Sequence, residues 1–374
     1  MSSFLTSSSR DWKVNFPKST VTVEVSVINT TAYLRDLPGD QFLKPAYAGV
    51  ERFTFPDYSV LIYHKPTGQR LLYDLGLWKN WKTHLSPRLL ASFESQIHFD
   101  MDRDVAEIIA DGGVPPSQID SIIYSHHHFD HTGDTTLFPP STPIFVGAGY
   151  VKNYLPGWPA DPNSYATTSD IYQGREIHEL SLESGPKVCQ IGPYSAYDWF
   201  SDGSFYLLGT PGHTSTHLSG LARTTVGHGD DTLILLCGDM THHGLLMRPN
   251  QYLPLPDHLH HEQGPASESI SASKEDFIKV HRLAKEIGGH EKAKVHPFCL
   301  IPHGHFDEDP DLAQQTLDQV HVFDGDENVF IVFTHDESLL DVIDFFPKTA
   351  NDWKAKGWAE QSRWTCLKPL KLSV

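Results

Sequence analysis

Four apolar runs in this 374-residue chain lead straight into a histidine or an aspartate. IDSIIYS runs into His126, SFYLLGT leads to His213, DTLILLC ends before Asp239, and NVFIVFT ends at His335. Short runs of Ile, Leu, Val and Phe bounded by turn residues read as buried strands. Strands that are apolar on both faces belong to a sheet covered on both sides. Metal-type side chains that recur just past such strands gather along one edge of a layered sheet, the usual place for a site.

The rest of the chain interleaves strand and helix signals. Val alternates with polar residues over 21–29, the pattern of a half-buried strand. YSVLIYH and RLLYDLG, joined by KPTG, predict a hairpin over 58–76. Val105, Ile108 and Ile109 have helical spacing, with Gly112 expected as the left-handed cap. TPIFVGAGY and HLSGLAR predict two more strands. A helix is expected over 273–287, with Phe277, Val280, Leu283, Ala284 and Ile287 on one face. Ser273 and Asp276 have the spacing of a capping box at its start. ESLLDVIDFF, 337–346, is a candidate short helix, and 241–272 reads as a polar, Pro-containing connection. This interleaving predicts an α/β layered fold. No linker divides the chain, so 1–374 reads as one domain, with a core of about 20–346 and a C-terminal tail, 347–374.

Composition narrows the function classes. The formal net charge is −18 and no basic patch stands out, which argues against nucleic acid and anionic membranes as partners. No apolar run approaches the ~18 residues of a membrane helix. The N-terminal residues lack the apolar core of a signal peptide, so a cytoplasmic location is expected. Four cysteines (Cys189, Cys237, Cys299 and Cys366) lie far apart without a CxxC pair, which suits a reducing compartment. There are 23 histidines, so chance pairs occur and only spacing and context carry weight.

The stretch SIIYSHHHFDHTGD has both. In an extended segment His126 and His128 point one way and His127 the other. Two imidazoles on one side make a pincer for a borderline metal such as zinc. Asp130 and His131 follow the bend and can serve a second metal nearby. The ligand count closes with His126, His128 and His213 on one metal, Asp130, His131 and His335 on the other, and Asp239 shared. Three protein ligands and a bridge leave room for water, the mark of a catalytic site.

HHHFDH resembles the HxHxDH motif of the metallo-β-lactamase superfamily, and GTPGHT, CGDM and FTHD follow in the family's order. The resemblance spans roughly residues 58–340 and implies a four-layer αβ/βα sandwich with long loop insertions. It also implies two Zn²⁺ per chain, with Fe or Mn as alternatives, and that Asp74 in LLYDLG supports the metal loops from behind the ligands. Two zinc ions sharing a water lower its pKa from about 15.7 to around 7. The expected reaction is attack of that hydroxide on a carbonyl, with one metal acting as the oxyanion hole. Asp130 and Asp239 are expected to steer the proton.

Phe129, TPGHTSTH and the late FTHD look most like the N-acyl homoserine lactone lactonases and fungal lactonase or lactamase relatives. That resemblance implies opening of a small cyclic ester or amide. Those lactonases place a tyrosine three residues after the bridging aspartate, where this chain has His242. Either His242 is the donor to the substrate carbonyl, or Tyr194 or Tyr197 is, or the substrate differs. Long insertions at 77–100, 150–203 and 241–272, rich in Trp, Tyr, Pro and Leu, suit an apolar or aromatic lactone or lactam. A homodimer is compatible with this reading. The alternatives within the family are a thioesterase of the glyoxalase II type and a mononuclear iron persulfide dioxygenase.

Overall fold

Two mixed sheets lie face to face in the computed structural model, which describes residues 13–93, 98–164, 168–227, 231–260, 271–304 and 306–372. The first sheet holds β1 (Glu24–Pro38), β2 (Arg52–His64), β3 (Gln69–Tyr73), β4 (His98–Asp100), β5 (Ser121–Ile123), β6 (Ile144–Gly147) and β7 (Ile177–Leu180). Its strand order is β4-β1-β2-β3-β5-β6-β7. The chain then builds β8 (Val188–Ile191), β9 (Tyr194–Asp198), β10 (Phe205–Gly209), β11 (Leu218–Thr225) and β12 (Thr232–Leu236). A separate hairpin, β13 (His258–His260) and β14 (Ser271–Ser273), intervenes before β15 (Val329–Val332) closes the second sheet in the order β15-β12-β11-β10-β9-β8.

The strand period of two decides which side chains meet. In β12, Ile234 and Leu236 pack with Val60, Ile62, Leu71 and Tyr73 of the first sheet. Leu233 and Leu235 point the other way, into a cluster with Leu317, Val320 and Phe323 of the helix Pro310–Asp324. On the far side of the first sheet, Leu61, Leu72, Ile122 and Ile144 pack on Val105, Ala106 and Ile109 of the helix Val105–Asp111. The result is helix, sheet, sheet, helix, the αβ/βα sandwich that the resemblance implies. Each fully buried Leu or Ile contributes on the order of 1.5–3 kcal/mol, so strands apolar on both faces hold both interfaces at once. Trp353 and Trp358 add to the intersheet core from the C-terminal residues.

Two parallel pairings aim the site. In β3 and β5, Tyr73 pairs with Ile123, so Asp74 and the histidine segment leave the sheet side by side. In β12 and β15, Leu236 pairs with Val332, so Asp239 and His335 leave together. His213 sits in the connection from β10 to β11, whose last pair is Gly209 with Leu218.

Several local expectations need correction. The left-handed cap of the helix Val105–Asp111 is Gly113 (φ +91°), not Gly112, whose φ is −78°. The helix expected over 273–287 spans only Lys274–Val280, behind the Ser273–Asp276 capping box. His281 turns extended there; its Nε2 bonds to His296 O and its Nδ1 accepts from Leu283 N, which leaves Ile287 fully exposed. Residues 337–346 form only a 3-10 turn, Glu337–Leu339. The connection after Asp239 is not a solvated loop at its start: Leu245, Leu246, Met247 and Asn250 are buried. Among the described residues no helix is long and apolar enough to cross a membrane.

Candidate metal centre

His126, His128, His213 and Asp239 form one group whose ligand atoms lie within 4.8 Å of one another; Asp130, His131 and His335 form a second. All seven expected ligands therefore converge at the shared sheet edge. Within the first group, His213 Nε2 stands 3.2 Å from His126 Nε2 and 3.0 Å from His128 Nδ1. Asp239 lies between the groups. Its Oδ2 is 3.6 Å from His213 Nε2 and 3.9 Å from His126 Nε2. Its Oδ1 is 3.2 Å from His131 Nε2 and 3.4 Å from His335 Nε2, which is itself 3.7 Å from Asp130 Oδ2.

These spacings fit a cation in each group. Tetrahedral ligands held about 2.0–2.1 Å from zinc stand roughly 3.3 Å apart. Two atoms at the centre, His131 Nε2 and Asp239 Oδ1, are buried without a hydrogen-bond partner, an arrangement that calls for an unseen partner. Charge points the same way. Burial and the neighbouring imidazoles hold His126 and His128 well below the ordinary histidine pKa. Burial also disfavours charge on His131 and His335, but Asp239, with Asp74 and Asp130 respectively, outweighs it and lifts His335 to about 9. A buried cluster that draws protons to some of its rings is one where metal cations take their place.

Four of the five rings, His126, His131, His213 and His335, have the far nitrogen fixed, which sets the tautomer and turns the other nitrogen inward. His131 Nδ1 donates to Asp74 Oδ2 at 2.8 Å. His126 Nδ1 bonds Ser125 Oγ at 2.9 Å, and that hydroxyl donates to Asp74 Oδ2 at 2.7 Å. His213 Nδ1 lies 3.0 Å from Asp307 Oδ1, and His335 Nδ1 donates to the Pro56 carbonyl at 2.9 Å. Asp74 holds a positive φ of +59°, a conformation aspartate tolerates better than most residues, so strain sits where the orienting carboxylate is needed. Gly133 ends the short helix Phe129–Thr132 at φ +48°; a Cβ there would lie 2.4 Å from Leu75 Cβ.

The remaining candidates separate cleanly. His242 Nε2 is 3.1 Å from Asp239 Oδ2, and the ring is stacked 5.7 Å from His335. Tyr194 donates its hydroxyl to Thr316 O at 2.7 Å, inside the second sheet's core. Tyr197 packs beside Trp199 in β9's neighbourhood, under Lys187. Neither tyrosine is engaged with the metal groups; His242 is. His127 points away from its neighbours but is stacked on Tyr154 at 3.6 Å. His243 is buried and accepts from Leu245 N.

The Metallo-beta-lactamase superfamily profile matches residues 54–261. The chain belongs to this superfamily. A Fusarium pseudograminearum protein named gamma-lactamase FDB1 is 36% identical over 359 residues, covering 94% of this chain and 83% of its own length. A Penicillium roqueforti protein named cytochrome P450 monooxygenase mpaDE is 36% identical over 365 residues; they are 96% of this chain but 38% of that longer protein. The solved B. thuringiensis AiiA structure with N-decanoyl-L-homoserine at its active site superposes with a TM-score of 0.52 at 19% identity. That superposition covers 88% of this chain and 99% of the other, and shows the likeness of fold.

Two parts of this candidate centre, Ser125 and Asp307, were not expected from the sequence. Ser125 sits one residue before the first ligand, where a hydroxyl between strand and metal loop was a usable signal. His217 is in the quoted motif; its Nε2 accepts from Asp239 N at 3.1 Å. Asp307 lies 94 residues beyond His213, with nothing local to mark it.

Proposed function

We propose that this chain is a dinuclear zinc hydrolase that opens a small cyclic ester or amide. The observation that carries the reading is the Asp239 carboxylate, with Oδ2 toward His126 and His213 and Oδ1 toward His131 and His335. Zinc bound there would supply a water acid enough to act as hydroxide near neutral pH and a positive pole for the substrate carbonyl. His126, His128 and His213 would hold one ion and Asp130, His131 and His335 the other.

The chain's own groups then do the orienting and the proton work. Asp130 and Asp239 carry carboxylate oxygens at the two groups, where one could take a proton from a metal-held water and hand it to the leaving ring atom. His242 Nε2 stands 3.1 Å from Asp239 Oδ2; with both oxygens of that carboxylate on zinc, its N–H would be released to donate to the carbonyl oxygen, the task a tyrosine performs at this position in the lactonases. Phe42 lies 5.3 Å from His242 and is stacked 4.9 Å from Phe306, with Phe55 edge-on at 5.0 Å. An aromatic wall beside the donor supports an apolar or aromatic ring as substrate. The γ-lactamase name of the Fusarium relative favours a cyclic amide within that class. Four free cysteines suit a reducing, cytoplasmic setting.

Turnover of γ-lactams, benzoxazolinone-type carbamates, homoserine lactones, aromatic lactones and glutathione thioesters by the zinc-loaded protein tests this. The expected result is ring opening that a chelator abolishes. Preference for the open-chain thioester contradicts it.

A further inference from the structure

The His213 turn is held by a segment far away in sequence. Glu308 N donates to His213 O at 2.9 Å and Asp309 N to Gly212 O at 3.0 Å. Glu308 Oε2 accepts from Ser215 N at 2.7 Å, and its Oε1 accepts from Tyr154 Oη at 2.6 Å. Gly212, at φ +135°, is pressed against the first turn of the helix Pro310–Asp324; a Cβ there would lie 2.3 Å from Ala313 backbone. The backbone of the turn is therefore fixed independently of the His213 ring, which is left to Asp307.

The two carboxylates behind the histidines are not equivalent. Asp74 is buried and reaches both groups, directly at His131 Nδ1 and through Ser125 Oγ at His126 Nδ1. Among the described residues Asp307 pairs with His213 alone of the two groups, with Oδ1 at 3.0 Å from Nδ1, and is partly open to solvent. An Nδ1–H directed at Asp307 leaves the Nε2 lone pair facing His126 and His128. Asp307 also follows Phe306, whose ring is stacked on Phe42 in the wall beside His242. One short segment thus serves both the ligand ring and the mouth.

Resting on the dinuclear reading above, we infer that Asp307 is a positioning residue for the first metal group, acting through His213 and on that group alone. Partners of this kind change metal affinity by roughly 10–100-fold. The test is chelator competition on the full-length zinc-loaded protein, which yields two zinc affinities for the wild type. In Asp307→Ala one affinity falls by roughly 10–100-fold and the other stays. The affinity that falls is the one lost in His128→Ala. Asp307→Asn recovers part of the loss, because its amide oxygen still accepts from Nδ1–H, and it decides the matter if the alanine variant does not fold. Two unchanged affinities in folded Asp307→Ala overturn the inference, as does a fall in both together. A wild type that takes up fewer than two zinc ions overturns the dinuclear reading instead, and shows before any substitution is made.

Discussion

His217 Nε2 accepts the backbone N–H of Asp239 at 3.1 Å, and its Nδ1 stands 2.8 Å from Thr210 Oγ1. A ring that accepts at Nε2 must carry its proton on Nδ1 and be neutral. Burial indeed lowers its pKa to about 3. His217 thereby holds the backbone of Asp239, whose carboxylate lies between the two groups. In His217→Ala the buried Asp239 N–H loses its acceptor, at a cost of about 1–3 kcal/mol before any cavity is counted. Urea denaturation of the chelated protein should show that loss, and the loaded variant should release zinc faster; unchanged midpoints contradict it.

Asp74 reaches both groups, so Asp74→Ala should weaken both zinc affinities, each by roughly 10–100-fold. Chelator competition reads this directly. A loss confined to one zinc, or none, contradicts the shared role drawn from its bonds to His131 and Ser125.

Phe42 and Phe306 are expected to set substrate preference. Phe42→Ala should raise KM for an aromatic lactam or lactone by about 10-fold or more with a smaller effect on kcat, since a lost apolar contact of this size is worth about 1–3 kcal/mol. Equal effects on aromatic and small aliphatic rings contradict the wall's role.

Acid sensitivity follows from buried neutral histidines. Burial lowers His217 and His243 to about 3 and His281 to about 4, against an ordinary value of about 6.5. A histidine whose folded pKa is depressed contributes its full stability above the unfolded pKa, and loses it as pH falls from about 6.5 toward the folded value. Each such ring then removes up to about 1.4 kcal/mol per pH unit in that window. Urea midpoints of the chelated protein should drop between pH 6.5 and pH 4.5, and His281→Gln, far from the metals, should flatten part of the slope. A flat profile contradicts this.

Much of the candidate site was legible because the His and Asp residues that meet there follow apolar strands. The parallel pairs β3–β5 and β12–β15 turn that sequence pattern into a shared edge. His126 and His128 also obeyed the extended-chain parity that sets His127 aside. What was not legible came from long-range contacts. Asp307 is brought to His213 by helix packing, and no local periodicity encodes that approach. The helix 273–287 failed for a similar reason: His281 finds a tertiary acceptor in His296 O, which outweighs the amphipathic spacing beyond Val280. Gly112 and Gly113 are adjacent, and only the backbone shows which of the two takes the left-handed cap.

The most direct test of the bridging role is zinc content and turnover of the wild type beside Asp239→Ala, purified in parallel. Two zinc ions per wild-type chain are expected, with a folded variant that retains at most one and does not open the ring. A variant that keeps both ions and full turnover, or a fully active wild type that holds only one, contradicts it.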